Sequence, residues 1–240
     1  MRKNAEERRI SAIVPAAGKG TRFRSKKKKI FAKLKQRPIL FHSLKALQNC
    51  SLINEIVLVI EEPFHDAAKR LVKRYRLTKV SYIVKGGKTR TDSVRNGLNR
   101  VGKDASFILV HDGARPLVNE KLIRRTIAAA VKFGASVAAL PVKATIKVAG
   151  ENDLVKYTPD RRNLWEAQTP QVFRKNLMEK AYGKVKGQRA GGRKCFTDDA
   201  ALLENIGTKV KIVSGDYENI KITTTEDINI AEALLYKRKK

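Results

Sequence analysis

The chain has 240 residues, 42% of them hydrophobic and 6% aromatic, enough apolar material to enclose one sizeable core without a second domain. No apolar run approaches the roughly 20 residues that cross a bilayer, and Met1 to Ile10 is charged where a secretory signal is apolar, which argues against a membrane partner and for a cytoplasmic protein. Two cysteines, Cys50 and Cys195, make neither a disulfide framework nor a zinc pattern and read as small buried side chains, while 52 Lys and Arg against 23 Asp and Glu give a net charge of +29.

In chain order, Ile10 to Pro15 is a short apolar run that ends in a glycine turn, the pattern of a buried strand. Pro38 to Cys50 sets Ile39, Leu40, Ser43, Leu44 and Leu47 on one helical stripe, and Glu55 to Ile60 is a second apolar run. Pro63 to Tyr75 reads as a helix, Val80 to Val84 as a strand, Thr91 to Val101 as a helix and Phe107 to Val110 as a strand. A helix over Glu120 to Phe133 precedes a strand over Ser136 to Val142. Lys143 to Asp160 then breaks into Ile146 to Val148 and Leu154 to Tyr157 around a turn-rich segment, which predicts a hairpin arm at about 143–160 leaving the sheet. The tail predicts a helix near Asp198 to Ile206, strands at Val210 to Val213 and Ile220 to Thr223, and a last helix from Glu226. The alternation predicts a single α/β domain over 1–240, Rossmann-like, with a mostly parallel sheet covered by helices on both faces. A hairpin alone is marginally stable in water, so the arm is expected to pack on a second copy of the chain, giving a homodimer.

The segment Ala16-Ala17-Gly18-Lys19-Gly20-Thr21-Arg22 follows the first strand, at the sheet edge where ligands bind in open parallel sheets. Its two glycines suit either a plain tight turn or a cradle whose amides face a phosphate. It is not a P-loop, and Phe23 stands where a dinucleotide fingerprint needs a third glycine. Arg22 and Lys29 strengthen the phosphate reading, because a nucleoside triphosphate brings about four negative charges. Within the run Lys26 to Lys29, at least two lysines read as solvated charge, as does the terminal Lys237 to Lys240.

Val14-Pro15-Ala16-Ala17-Gly18-x-Gly20-x-Arg22 resembles the opening of the nucleotidyltransferases that join a sugar or polyol phosphate to a nucleotide. Within that superfamily the chain is similar to the cytidylyltransferase family acting on 2-C-methyl-D-erythritol 4-phosphate in non-mevalonate isoprenoid synthesis. The resemblance runs through Gly86-Gly87-x-x-Arg90-x-x-Ser93-Val94, Val110-His111-Asp112-Gly113-Ala114-Arg115-Pro116, Pro141-Val142-x-x-Thr145-x-Lys147, Arg161-x-x-Leu164-Trp165-x-x-Gln168-Thr169-Pro170-Gln171-x-Phe173, Thr197-Asp198-Asp199 and Asn219-Ile220-Lys221. It departs at Lys28-Lys29-Ile30, where similar proteins have Pro-Lys-Gln; counting from Arg22 selects Lys29 as the catalytic lysine, with Lys28 as its substitute.

The resemblance implies transfer of CMP from CTP to the polyol phosphate with release of pyrophosphate. Arg22, Lys29 and Lys221 would act on the phosphates, and Ala16, Ala17, Gly18, Gly20, Gly86, Ser93, Asp112 and Gly113 would hold the nucleotide. Ser93 alternatively caps the following helix together with Asp92, and Asp112 alternatively pairs with Arg115 instead of lying near the sugar hydroxyls and metal. Thr145 and Arg161 would hold the polyol phosphate across the dimer, with Thr169 and Thr197 completing that pocket. Mg²⁺ would be held mainly by the CTP phosphates, with no protein metal ligand set. His111 reads as a structural histidine and Trp165 as a core residue. Two rival readings remain: the same chemistry on ribitol 5-phosphate, and a nucleic-acid-binding protein suggested by the charge. The cations lack an aromatic stacking pattern, which argues against a specific nucleic-acid partner.

Overall fold

The computed structural model describes residues 8–18, 20–23, 28–185 and 196–238. The first strand, β1 (Ile10–Pro15), is followed by a small antiparallel pair, β2 (Lys33–Leu34) and β3 (Arg37–Pro38), and by helix α1 (Ile39–Asn49). Next come β4 (Glu55–Ile60), α2 (His65–Arg74), β5 (Val80–Lys85), α3 (Arg90–Leu98), β6 (Phe107–Val110), α4 (Glu120–Phe133) and β7 (Ala135–Pro141). The arm holds β8 (Val148–Ala149) and β9 (Val155–Tyr157), an antiparallel pair apart from the main sheet. The chain then forms β10 (Trp165–Arg174), α5 (Lys175–Lys184), α6 (Asp199–Glu204), β11 (Lys211–Ser214) and α7 (Glu226–Lys237).

Seven strands make one sheet in the order β11-β7-β10-β6-β1-β4-β5. Six of its strands, β1, β4, β5, β6, β7 and β11, pair in parallel, while β10 runs antiparallel to both neighbours, β6 and β7. After β1 the chain builds outward through β4 and β5 and then returns to β6 on the other side of β1. The reversal opens a crevice between the carboxyl ends of β1 and β6, the topological switch point of such sheets.

The apolar runs behave as their composition requires. All six residues of β4 are buried, and the α1 stripe Ile39, Leu40, Ser43, Leu44 and Leu47 is fully covered. Leucines of α1, with Ala68 and Leu71 of α2 and Leu122, Ile123 and Ile127 of α4, fill one face of the sheet; Val94, Met178, Ala181 and Leu203 fill the other. α4 begins at an Asn119 cap, whose Oδ1 accepts the Leu122 amide at 2.8 Å, and ends at Gly134, whose φ of +88° reverses the chain into β7. A third cluster joins Phe23, Leu34, Leu117 and Ile222 to Ala231 of α7. It seats the end of the glycine loop against the C-terminal helix.

Four expectations are corrected. Ile220 to Thr223 is not a strand; it is an extended segment without a ladder, held by the Ile222 amide on Ala114 O (2.9 Å) and by Arg115 on Asn219 O (2.7 Å). β10 and α5 were not expected, because Trp165-Glu-Ala-Gln-Thr-Pro carries polar residues and a proline, which signal a loop. Trp165 is not core but 42% exposed, since it lies on the end of β10 beside the arm. Arg238 is not solvated charge: it binds Glu218 (2.7 Å) and Leu117 O (2.8 Å) and fastens the end of α7. Cys50 is buried, while Cys195, Lys26, Lys27, Lys239 and Lys240 lie outside the described residues.

A close approach of α3 to the sheet at Gly97 predicts a stability effect. A Cβ added at Gly97 of α3 would lie 2.6 Å from Ile13 Cγ2 and 2.9 Å from Val59 Cγ2. Those methyls belong to buried central strands and have no room to withdraw. Overpacking costs about 1–3 kcal/mol, and the helix-propensity gain of alanine is about 1 kcal/mol. Gly97→Ala is therefore expected to lower the urea midpoint with an unchanged m value; a raised midpoint would show that β1 and β4 yield.

Candidate active site

Three loops meet at the crevice. In the first, the Ala16 amide donates to Val59 O at 2.7 Å, carrying the chain just past β1, and Phe23 N donates to Gly20 O at 2.8 Å to close a turn in which Gly20 has φ +65°. A side chain at Gly20 would strain that turn, whereas a Cβ at Gly18 would meet nothing within 4 Å. The space above Gly18 is room for a ligand.

The second loop joins β5 to α3. Thr89 caps the helix by accepting the Asp92 amide at 3.0 Å, and Asp92 Oδ2 returns the contact to the Thr89 amide at 3.2 Å. This capping box corrects the expectation that Ser93 opens the helix. Ser93 lies one turn in, where its hydroxyl accepts the Gly87 amide (3.0 Å) and donates to Thr89 O (2.9 Å). These two contacts brace the Gly86-Gly87 backbone beside the cleft. A Cβ at Gly86 would fall 2.2 Å from that of Ala17, so the first two loops touch only because both residues are small.

The third loop follows β6 and carries Asp112. Its Oδ2 is 2.7 Å from Lys221 Nζ and 3.7 Å from Arg115 Nε, and its Oδ1 is 3.7 Å from Arg90 Nε. Burial raises the carboxyl pKa, but Lys221, Arg90 and Arg115 outweigh it and hold the group well below the usual carboxylate range. Asp112 is thus an anion shared among three cations, one of them the Arg115 of the alternative sequence reading. Arg90 in turn binds Asp199 Oδ2 at 2.7 Å, and the Tyr182 hydroxyl donates to the other Asp199 oxygen at 2.5 Å. Burial opposes the Arg90 charge, yet Asp199 and Asp112 keep it protonated.

Beneath Asp112, Thr169 Oγ1 accepts the Asp112 amide at 3.1 Å and so gives its own hydrogen to His111 Nδ1 at 3.0 Å. The imidazole proton then sits on Nε2, which donates to Arg115 O at 3.1 Å. His111 is a satisfied structural residue, as expected. Thr169 is buried in this chain and braces the Asp112 backbone from below, placed there by a register shift in β10 between Ala167 and Gln171.

Ala16, Ala17, Gly18, Gly20, Arg22, Lys29, Ser93, Asp112 and Lys221 all line one cleft of about 750 Å³. Gly113 lies behind it, where a Cβ would press on Ala16 and Leu40 at 3.1–3.2 Å. Lys29 lines the cleft, and Lys28 instead pairs with Glu61. Burial, then Lys221 and Arg22, lower the Lys29 pKa, partly offset by Asp112 and Asp227. Thr145 and Arg161 are exposed at the arm, with Arg161 Nη1 on Lys143 O at 2.5 Å, and Thr197 is exposed ahead of α6. One chain alone does not bring these three to the cleft. Sequence reasoning assigned no role to Arg90 or Asp199; both stand in quoted motifs, but their separation of 109 residues hides the contact.

A family model described as 2-C-methyl-D-erythritol 4-phosphate cytidylyltransferase matches residues 10–237. Proteins of that name from Alkaliphilus oremlandii and Caldanaerobacter subterraneus are each 43% identical, over 96% and 95% of this chain and 97% and 99% of their own. The solved 4-diphosphocytidyl-2C-methyl-D-erythritol synthase of Anaerococcus prevotii is 35% identical with a TM-score of 0.82, covering 96% of this chain and 100% of that one. The 2-C-methyl-D-erythritol 4-phosphate cytidylyltransferase of Thermus thermophilus has a TM-score of 0.76 at 28% identity, over 95% and 99%.

Two covered histidines, His111 beneath Asp112 and His42 of α1, make stability depend on pH. Burial lowers His111 from 6.5 to about 4 and also lowers His42. The unfolded chain therefore binds protons that the folded chain refuses, and stability present near pH 7 is lost as pH falls through 6.5 toward 4. For His111 the loss between pH 7 and 4.5 is about 2 kcal/mol. Urea unfolding at the two pH values, with proton uptake on unfolding, checks this; equal stabilities would contradict a neutral buried His111.

Proposed function

This chain belongs to the 2-C-methyl-D-erythritol 4-phosphate cytidylyltransferase family, and from that premise we propose that it transfers CMP from CTP to 2-C-methyl-D-erythritol 4-phosphate, releasing pyrophosphate and 4-diphosphocytidyl-2-C-methyl-D-erythritol. The observation that carries the reading is the convergence of Arg22, Lys29 and Lys221 on a cleft floored by small residues at the switch point. The substrate phosphate oxygen attacks the α phosphorus of CTP, the bond to the β-phosphate oxygen breaks, and pyrophosphate leaves. The protein need supply no nucleophile or base. Arg22, Lys29 and Lys221 balance charge on the phosphates, and the glycine loop holds them in line. The small Gly86-Gly87 loop, braced by Ser93, offers cytosine and ribose a backbone edge. Matching a base by fixed backbone groups favours CTP over purine nucleotides, because a wrong edge leaves buried polar groups unpaired.

Magnesium fits the donor set through its substrate. Asp112 and Glu61 are the acidic side chains lining the cleft, Glu61 is paired with Lys28, and no group of three or more His, Cys, Asp or Glu gathers among the described residues. Asp112 would lie nearest a Mg²⁺ ion that takes most of its oxygens from the triphosphate and water. The ion would neutralise phosphate charge and orient the triphosphate. No helix among the described residues is long and apolar enough to cross a membrane, and the cytoplasm, where CTP is made, is the proposed compartment.

A homodimer with shared sites accounts for the arm. Leu154, Val155 and Tyr157 are 55–69% exposed, and Trp165 at the arm's base is 42% exposed. A two-stranded ribbon does not hold such residues in water by itself. Crossing to a second copy would cover them and bring Thr145 and Arg161 to the partner's cleft, where a guanidinium can take two phosphate oxygens.

Pyrophosphate release with CTP or ATP against a panel of polyol phosphates tests the reaction; equal kcat/KM for CTP and ATP, or preference for ribitol 5-phosphate, would overturn it. Arg22→Ala and Lys29→Ala are each expected to fold and to lose about 100-fold in turnover. For the dimer, Arg161→Ala and Arg22→Ala chains are mixed. Random pairing makes half the dimers hybrid, each with one intact site of two, so about one quarter of wild-type activity should return. No recovery despite proven subunit exchange would assign Arg161 to its own chain.

A further inference from the structure

We propose that Lys28 is a positioning residue, whose ion pair with Glu61 fixes the turn that aims Lys29 into the cleft. The proposal rests on the reading of Lys29 as a phosphate-facing cation. Lys28 Nζ lies 2.7 Å from Glu61 Oε1, and the lysine side chain is only 8% exposed. The same ammonium stands 5.5 Å from the centre of the Phe64 ring, and Phe31 packs on that ring at 5.8 Å. Ile30, between them, is 3% exposed in the core. Positions 28, 30 and 31 are thus fastened to the 61–64 turn beyond β4 or to the core behind it. Lys29 and Ile30 of this one-turn 3₁₀ helix, Lys29–Phe31, both line the cleft, and Lys29 is the one that brings a charge to it.

The backbone supports the same assignment. Lys28 has φ −56° and ψ 124°, a conformation whose φ a proline ring would lock without any side-chain partner and whose ψ lies in the polyproline range that proline accepts. An ordinary residue there is free to leave it, and a lysine brings a charge that must find an acceptor. Glu61 provides the acceptor and Phe64 a face for the ammonium, in a partly covered position where such contacts are stronger than at an open surface. Neighbouring lysines of one turn therefore differ in role: Lys28 is committed to an ion pair within the protein, and Lys29 lines the cleft among Lys221, Arg22, Asp112 and Asp227 without a direct ion pair of its own among the described contacts.

The test compares Lys28→Met, Lys28→Pro and the reversed pair Lys28→Glu with Glu61→Lys, using Lys29→Ala as reference. Loss of the clamp should misplace Lys29 relative to the phosphates, so Lys28→Met is expected to lower kcat about 10-fold. KM for CTP should move less than about threefold, since the loss falls on the transition state. Lys28→Pro restores the backbone angle without the ion pair, and the reversed pair restores the ion pair; at least one should bring kcat back to within about threefold of wild type. Lys28→Met at wild-type kcat would overturn the proposal. Failure of both rescues in chains whose circular dichroism is native would also overturn it, because Lys28 would then act on the substrate itself. Full turnover in Lys29→Ala is a separate outcome that removes the role of Lys29, whatever the Lys28 variants do.

Discussion

Burial of Asp112 at the end of β6 sets a constraint that several segments must satisfy together. An isolated carboxylate in this position would be driven to protonate by desolvation. It stays charged because Lys221 arrives from the segment before α7, Arg90 from the start of α3 and Arg115 from its own loop. Each cation has a further anchor or role that fixes its segment: Arg90 on the buried Asp199, Arg115 on Asn219 O, and Lys221 at the cleft mouth. Removing one partner from such a set leaves the others uncompensated in a poorly solvated place, which is why it holds together as a unit. The register of β10 belongs to the same set, since it brings Thr169 under the Asp112 amide and selects the His111 tautomer.

The cleft also depends on the side chains that are missing. Ala17 and Gly86 approach so closely that one added carbon would put two Cβ atoms 2.2 Å apart, and a Cβ at Gly87 would fall 2.3 Å from that of Asp92. The first contact joins the phosphate loop to the proposed base-facing loop, and the second seats that loop on the capping box of α3. Loop geometry is therefore inherited from rigid elements: β1 and β4 hold one loop, α3 the other. This gives fixed backbone groups, the condition for binding phosphate and base without reorganisation.

Legibility in the sequence followed the physical strength of each signal. β1, β4, β6 and α4 were readable to their ends because continuous apolar runs and a helical stripe have no other stable use, and because Asn119 and Gly134 mark the two ends of α4. β10 was missed since its first half is polar and interrupted by Pro170, and its place in the sheet comes from pairing with β6 and β7 across more than twenty residues of sequence. Ile220 to Thr223 misled in the opposite direction: its β-branched residues read as a strand, but Ile222 bonds to Ala114 O and the preceding Asn219 to Arg115 and Thr169, with no strand ladder. At the site, the motifs named the glycine loop, Arg22, Lys29, Ser93, Asp112 and Lys221 of the cleft, but not Glu61, Lys88, Thr89 or Thr223, which line it as well. What they did not carry was mutual geometry: that Arg90 reaches Asp199, that Thr169 supports and does not line, and that Ser93 braces a backbone.

The same geometry shapes how the free protein holds its cations. Burial above all, and then the nearby Lys221 and Arg22, make the Lys29 ammonium harder to keep charged than a solvated lysine, while Asp112 and Asp227 work the other way. Cations left to themselves would spread into solvent. Here the anchors stand behind them: Phe23 in the third cluster, the Lys28–Glu61 pair beside Lys29, and the 219–222 segment under Lys221. Folding thus supports a charge arrangement that is unfavourable when empty and favourable once a polyanion enters. A transition state in which negative charge moves toward departing pyrophosphate gains from cations already in place, with no rearrangement at the moment of reaction. This also separates function from the overall charge of +29: most basic residues can sit in solvent, but the few that matter to a phosphate are those the fold prevents from doing so.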